Sequence, residues 1–193
     1  MLQTFESPLA GCLITPQSAV SPGTTATSLF AINQANKFLP LPYGQNAPVP
    51  GSIFRVTCGG LCTTVAGTNK FTVYHGPGTS TTAFGTALAA SSALTTVAAT
   101  AGNWLLEGIL VYRTISEIAT TSTAWFCGRV DINGPSSGTV AQVTGTIQST
   151  AAVSVDTTGT GSAGTFGALN IAVVESVTAS TWTPEFAFME QLN

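Results

Sequence analysis

The chain has 193 residues with 44% hydrophobic content and a formal net charge of −3, and only 7% of it is charged. Ordinary soluble proteins carry about 25% charged residues, so a chain this poor in charge is expected to be secreted, membrane-associated or buried in an assembly. Its five basic side chains, Lys37, Arg55, Lys70, Arg113 and Arg129, are scattered, which argues against a phosphate-binding stripe and so against direct nucleic acid contact.

No apolar run approaches the roughly 18 residues of a spanning helix, because Thr, Ser and Gly interrupt every segment; the mean hydropathy of +0.37 therefore does not imply a membrane. Glu6 and Pro8 fall where a signal peptide would be apolar, and synthesis in a cytoplasm is expected. The four cysteines, Cys12, Cys58, Cys62 and Cys127, are then expected to be reduced, small core residues. Cys58 and Cys62 stand on either side of a turn signal, which leaves a disulfide between them open.

Residues 1–50 differ from the rest. Pro8, Pro16, Pro22, Pro40, Pro42, Pro48 and Pro50 recur where strands need N–H donors. Phe5, Leu9, Leu13, Ile14, Leu29 and Phe30 make the segment too apolar for a free tail. It reads as an extended arm that lies on something, with a short strand at 28–32 and a polyproline-like link over 40–51.

The body, 51–193, opens with a strand in which Phe54, Val56 and Cys58 share a face, ended by Gly59-Gly60. Leu61–Val65 follows, then a turn at 66–69 and a strand over Lys70–His75 stopped by Gly76-Pro77-Gly78. The alanine-rich stretch after Ala83 reads as a strand near Thr86–Ala89, then loop.

The strongest strand signal in the chain is Asn103–Thr114, aromatic and β-branched without proline. Alternation puts Trp104, Leu106, Leu110 and Tyr112 on one face, expected to be the core. Leu105, Glu107, Ile109, Val111 and Arg113 take the other, expected to pack on a subunit or on the arm. Thr123–Ile132 returns with Phe126, Val130 and Ile132 opposite Trp125, Cys127, Arg129 and Asp131, and Asn133-Gly134-Pro135 closes it. Strands over 139–148, 166–175 and 182–192 complete the body, with a Gly- and Thr-rich loop at 156–164. About eight strands without a helix predict an all-β, antiparallel two-sheet sandwich of jelly-roll type with an extended N-terminal arm.

Catalytic signatures are sparse. The single histidine, His75, sits at a strand end beside Gly76-Pro77 with no nucleophile motif near it. Cys58-x-x-x-Cys62 lacks the second pair of a zinc site. Glu107, Asp131 and Glu175 are the carboxylates a two-acid hydrolase would draw on, but Glu107 shares a face with Arg113, and Asp131 with Arg129, which gives each an ion-pair role. The Gly-Thr-Gly-Ser-Ala-Gly at 159–164 precedes a strand, not a helix, and so is not a phosphate loop. No enzyme activity, cofactor or metal is expected.

The body carries Pro-Gly-Ser-Ile-Phe-Arg-Val-Thr-Cys-Gly-Gly (50–60), Asn-Lys-Phe-Thr-Val-Tyr-His-Gly (69–76) and Asn-Trp-Leu-Leu-Glu-Gly-Ile-Leu-Val-Tyr-Arg-Thr (103–114). In these segments and its closing strand it resembles the jelly-roll structural proteins of tailed bacteriophage virions, above all the capsid decoration or cement proteins. The resemblance implies a non-enzymatic homotrimer on the capsid surface, bound to the major capsid protein across capsomer junctions, with low surface charge tolerated because symmetric contacts bury it. It also gives the arm a task, docking Phe5, Leu9, Leu13, Ile14 and Phe30 on the major capsid protein or a neighbouring copy. Head-fibre, tail-fibre and receptor- or carbohydrate-binding modules share the style and are the alternative.

Overall fold

The computed structural model describes residues 9–13, 18–30, 39–40, 49–76, 85–115, 122–136, 139–155, 168–177 and 179–192. These hold β1 (Leu9–Leu13), β2 (Thr27–Ser28), β3 (Leu39–Pro40), β4 (Ile53–Thr64), β5 (Gly67–His75), β6 (Thr86–Ser91) and β7 (Leu94–Thr96). They continue with β8 (Ala99–Thr114), β9 (Ser122–Ser136), β10 (Thr139–Gln148), β11 (Val153–Val155), β12 (Ala168–Glu175) and β13 (Thr181–Gln191). The described residues form no helix, and so none that is long and apolar enough to cross a membrane.

All pairings are antiparallel and join the strands into one sheet, ordered β1-β13-β4-β8-β9-β10-β6-β5-β12-β2, with β11 on β9, β7 on β5 and β3 on β12. Hydrogen bonding thus runs along one continuous path where two sheets were expected, and the sheet curls over on itself. Strands β5 and β8 are separated in that order by β9, β10 and β6, yet their side chains meet. The Phe71 ring lies 6.2 Å from Trp104 and 5.2 Å from Trp182, and His75 Nε2 is 2.7 Å from the Tyr112 hydroxyl. Packed aromatic pairs of this kind contribute about 0.5–1.5 kcal/mol each beyond their burial. The strand pairs are also nested: β4 with β13, β5 with β12, β6 with β10 and β8 with β9.

Strand β8 follows its alternation. Trp104, Leu106, Leu110 and Tyr112 are all buried, while Ile109 and Arg113 are exposed and Leu105, Glu107 and Val111 half-buried. The strand also starts earlier than expected, at Ala99.

The expected stop at Gly59-Gly60 does not form, and β4 runs straight through it. The glycines serve close approach instead. A Cβ on Gly60 would sit 2.0 Å from the Thr183 carbonyl, where β13 bulges between Pro184 and Phe186, and one on Gly59 would sit 2.9 Å from the Phe186 ring. Because the strand stays extended, Cys58 and Cys62 lie about 13 Å apart along it, beyond the reach of a disulfide; both are free and buried. Likewise Asn133-Gly134-Pro135 does not close β9, which pairs with β10 as far as Ser136.

The described parts of the N-terminal segment belong to the same sheet. β1 pairs with β13, Val20 bridges Trp182, Gly23 accepts from the Glu175 N–H, and β2 and β3 pair with β12. Its described parts therefore lie along β13, where β12 and β13 converge, and along β12, with β3 near β1 and β13. Both flanks of the sheet are covered by short strands, the usual defence against edge-to-edge pairing. Leu29 and Phe30 are buried in the chain's own core. Phe30, expected to dock on a partner, is therefore not available to one.

Candidate functional site

The outward face of β13, β4, β8, β9 and β10 is the surface on which the predicted interface residues of β8 meet their neighbours. Register sets its rows. Phe188, Thr57, Glu107, Arg129 and Thr146 lie side by side, as do Phe186, Gly59, Leu105, Asp131 and Thr144. A third row reads Thr183, Leu61, Asn103, Asn133 and Gln142. Each row passes from apolar or small groups on β13 and β4 to polar groups on β9 and β10.

On the apolar side Leu61, Ile109 and Phe186 are 53%, 38% and 36% exposed, well above the near-zero exposure of the inward-facing residues on the same strands. The Phe186 and Phe188 rings stack at 6.3 Å, and the bareness of Gly59 lets Phe186 reach across onto β4. Alternation along β13 puts these two phenylalanines on one face, but their approach to Leu61 is set by the pairing of β13 with β4, strands remote in the chain.

The polar side is an ion network. Arg129 donates to Glu107 at 3.2 Å and pairs with Asp131 at 3.2 Å, and Thr144 donates to Asp131 at 2.6 Å. Arg55 and Glu190 pair at 3.5 Å across β4 and β13. The Asp131–Arg129 pairing was expected, but Glu107 pairs with Arg129 and not with Arg113. Six residues along one strand is about 20 Å, whereas a directly opposed cross-strand neighbour is about 5 Å away. Exposed pairs like these contribute about 0–1 kcal/mol, so they orient the surface more than they hold the fold.

The three carboxylates considered for acid–base chemistry are not assembled. Glu107 and Asp131 share one guanidinium on the outer face, while Glu175 is buried inside and accepts from Trp182 Nε1 at 2.7 Å. His75 is also interior, held by Tyr112. Both buried pairs join different limbs of the curled sheet, β5 to β8 and β12 to β13. Buried hydrogen bonds of this sort fix how the limbs face each other. Of the remaining predicted interface residues, Leu9 and Leu13 lie on β1 opposite Glu190 and Ala187, and Phe5 and Ile14 fall outside the described residues. Among the described residues no group of His, Cys, Asp or Glu is arranged to hold a metal ion.

Burial pushes the Cys58 and Tyr112 ionisations far up and the Cys62 thiol up to about 12. Cys127, half-buried on β9, should therefore be the first of these three thiols to react with an aromatic disulfide reagent, and Cys58 and Cys62 should react only on unfolding. The same burial predicts alkaline sensitivity. Folded Cys58, Cys62 and Tyr112 stay protonated where the unfolded groups ionise, so their contribution is fully present below about pH 8.5 and declines above it. Each withheld ionisation costs about 1.4 kcal/mol per pH step. Denaturation midpoints measured from pH 7 to 11 should be flat at first and then fall; a flat profile throughout contradicts the assignment.

No protein family matches the chain, and no curated protein or solved structure matches it either.

Proposed function

We propose that the chain is a structural virion protein that decorates and stabilises a bacteriophage capsid, binding the major capsid protein across capsomer junctions as a homo-oligomer, in the trimeric arrangement that its resemblance to cement proteins implies. One observation carries the reading: the outer sheet face leaves Leu61, Ile109 and Phe186 exposed on β4, β8 and β13 among the ion pairs of Arg55 with Glu190 and of Arg129 with Glu107 and Asp131, on a chain only 7% charged. Exposed apolar side chains rimmed by polar groups are a mark of interaction surfaces. The nested strand pairs β4/β13, β5/β12, β6/β10 and β8/β9 support a jelly roll as the finer description, since that fold is one long strand hairpin rolled up with its first and last strands adjacent.

The experiment is to add purified protein to expanded, undecorated capsids and measure co-sedimentation. Saturable binding is expected, weakened by Ile109→Lys, which places a charge in the exposed strip without touching the core. Absence of binding, or binding indifferent to the outer face, contradicts the proposal.

A further inference from the structure

We infer that the interior carries a binding site for a single water molecule, formed by Asn69 Oδ1, Glu175 Oε2 and Trp104 Nε1, and that this water ties the two limbs of the curled sheet together. The site is remote from the outer face and stands apart from the assembly role proposed above.

Strand register builds it. The inward residues of β5 and β12 stand opposite one another in successive pairs, His75 with Leu169, Val73 with Ile171, Phe71 with Val173 and Asn69 with Glu175. Only the last pair is polar on both strands. Directly opposed residues have Cβ atoms about 4.5–5.5 Å apart, and Asn69 and Glu175 are each only 2% exposed. Asn69 Oδ1 and Glu175 Oε2 nevertheless have no protein hydrogen-bond partner.

The neighbours fix which oxygen each side chain leaves over. Thr96 Oγ1 donates its one hydrogen to the Val65 carbonyl at 3.0 Å, so toward Asn69 it only accepts, and it takes an Nδ2 hydrogen at 2.8 Å. Oδ1 is thereby turned away from Thr96. In Glu175, Oε1 accepts the Trp182 indole hydrogen at 2.7 Å, which leaves Oε2. Trp104 supplies a donor to match. Its ring lies 6.4 Å from Trp182 and 6.2 Å from Phe71, the inward neighbour of Asn69 on β5, and its buried Nε1 has no protein acceptor. The remaining atom of this kind among the described residues, Asn170 Nδ2, belongs to the opposite face of β12.

Two acceptors and one donor define the ligand. A metal ion would meet the Trp104 hydrogen, and an anion would meet two oxygens. Water donates twice and accepts once, which gives the roughly three hydrogen bonds usual for a buried water. Asn69 and Glu175 come from β5 and β12 and Trp104 from β8, so the water spans the same two limbs as the His75–Tyr112 and Glu175–Trp182 contacts.

Water-selective NOE and ROE spectra of the full chain, with isotope-labelled tryptophan side chains, test this. The Trp104 indole hydrogen, assigned with Trp104→Phe, is expected to show a direct cross peak to a long-lived water, and Asn69→Leu is expected to remove it. A crystal structure of the wild-type chain keeps the test open if Asn69→Leu does not fold: one water within about 2.7–3.2 Å of all three atoms is expected. A Trp104 indole without a water cross peak, a cross peak unchanged in folded Asn69→Leu, or a crystal structure with a metal ion or a direct Glu175–Asn69 contact in the water's place overturns the inference.

Discussion

Removal of residues 1–30 is expected to leave a chain that no longer folds cooperatively, and Phe30→Ala alone is expected to destabilise the protein by about 3–5 kcal/mol. Phe30 and Leu29 are 4% and 0% exposed and belong to the central core, although they come from a segment whose prolines make it look like a detachable arm. The removed residues also cover β13 through β1 and Val20, and β12 through β2. Without them, long strands at both flanks present unpaired N–H and C=O groups, a template for aggregation. Since whole domains are stable by only about 5–15 kcal/mol, loss of one such core anchor takes a large share. Urea denaturation of Phe30→Ala measures the effect, and a change below about 1 kcal/mol would show that this part of the segment is not integral. One consequence concerns experiments on the arm: a truncation that abolishes capsid binding does so through the fold, and point changes on the outer face are the cleaner probe.

Trp182→Phe should cost about 3 kcal/mol or more, and most of that should return in the double variant Trp182→Phe with Glu175→Leu. Trp182 is fully buried, and its indole N–H is the protein donor to Glu175 Oε1; Glu175 Oε2 has no protein hydrogen-bond partner. Phenylalanine keeps much of the ring contact with Phe71 and Trp104 but strips the buried carboxyl group of its donor. Leaving one polar partner unpaired is expensive, whereas replacing both with apolar groups removes the need for pairing. Thermal denaturation of the two single variants and the double one forms the cycle. Additive losses in place of recovery would mean that Trp182 acts through ring packing alone.

How much of this was legible in the sequence varied with the range of the interaction. The two faces of β8 could be read from Asn103–Thr114, because alternation is a local property and each side chain's face follows from its position alone. The same holds for β9, whose Arg129 and Asp131 do face outward together. Gly59-Gly60 misled because a glycine required by a neighbouring backbone and a glycine required by a turn are identical in sequence; the neighbour, β13, lies more than a hundred residues away. The apolar content of the first 50 residues implied that the segment lies on something, as its described strands do. It could not say that this was the chain's own β12 and β13, since antiparallel pairing between remote strands leaves no local mark. For the same reason Leu61 and Phe186 look like isolated apolar residues until β4 and β13 are laid side by side, with Phe186 opposite Gly59.

The outer face is the part of the account on which function depends, and electron cryomicroscopy of assembled particles tests it most directly. Decoration of a capsid predicts density for this chain over capsomer junctions, with Leu61, Ile109 and Phe186 buried in contacts between molecules. Density confined to a tail or fibre, or a particle-bound chain whose outer face stays open to solvent, would contradict it.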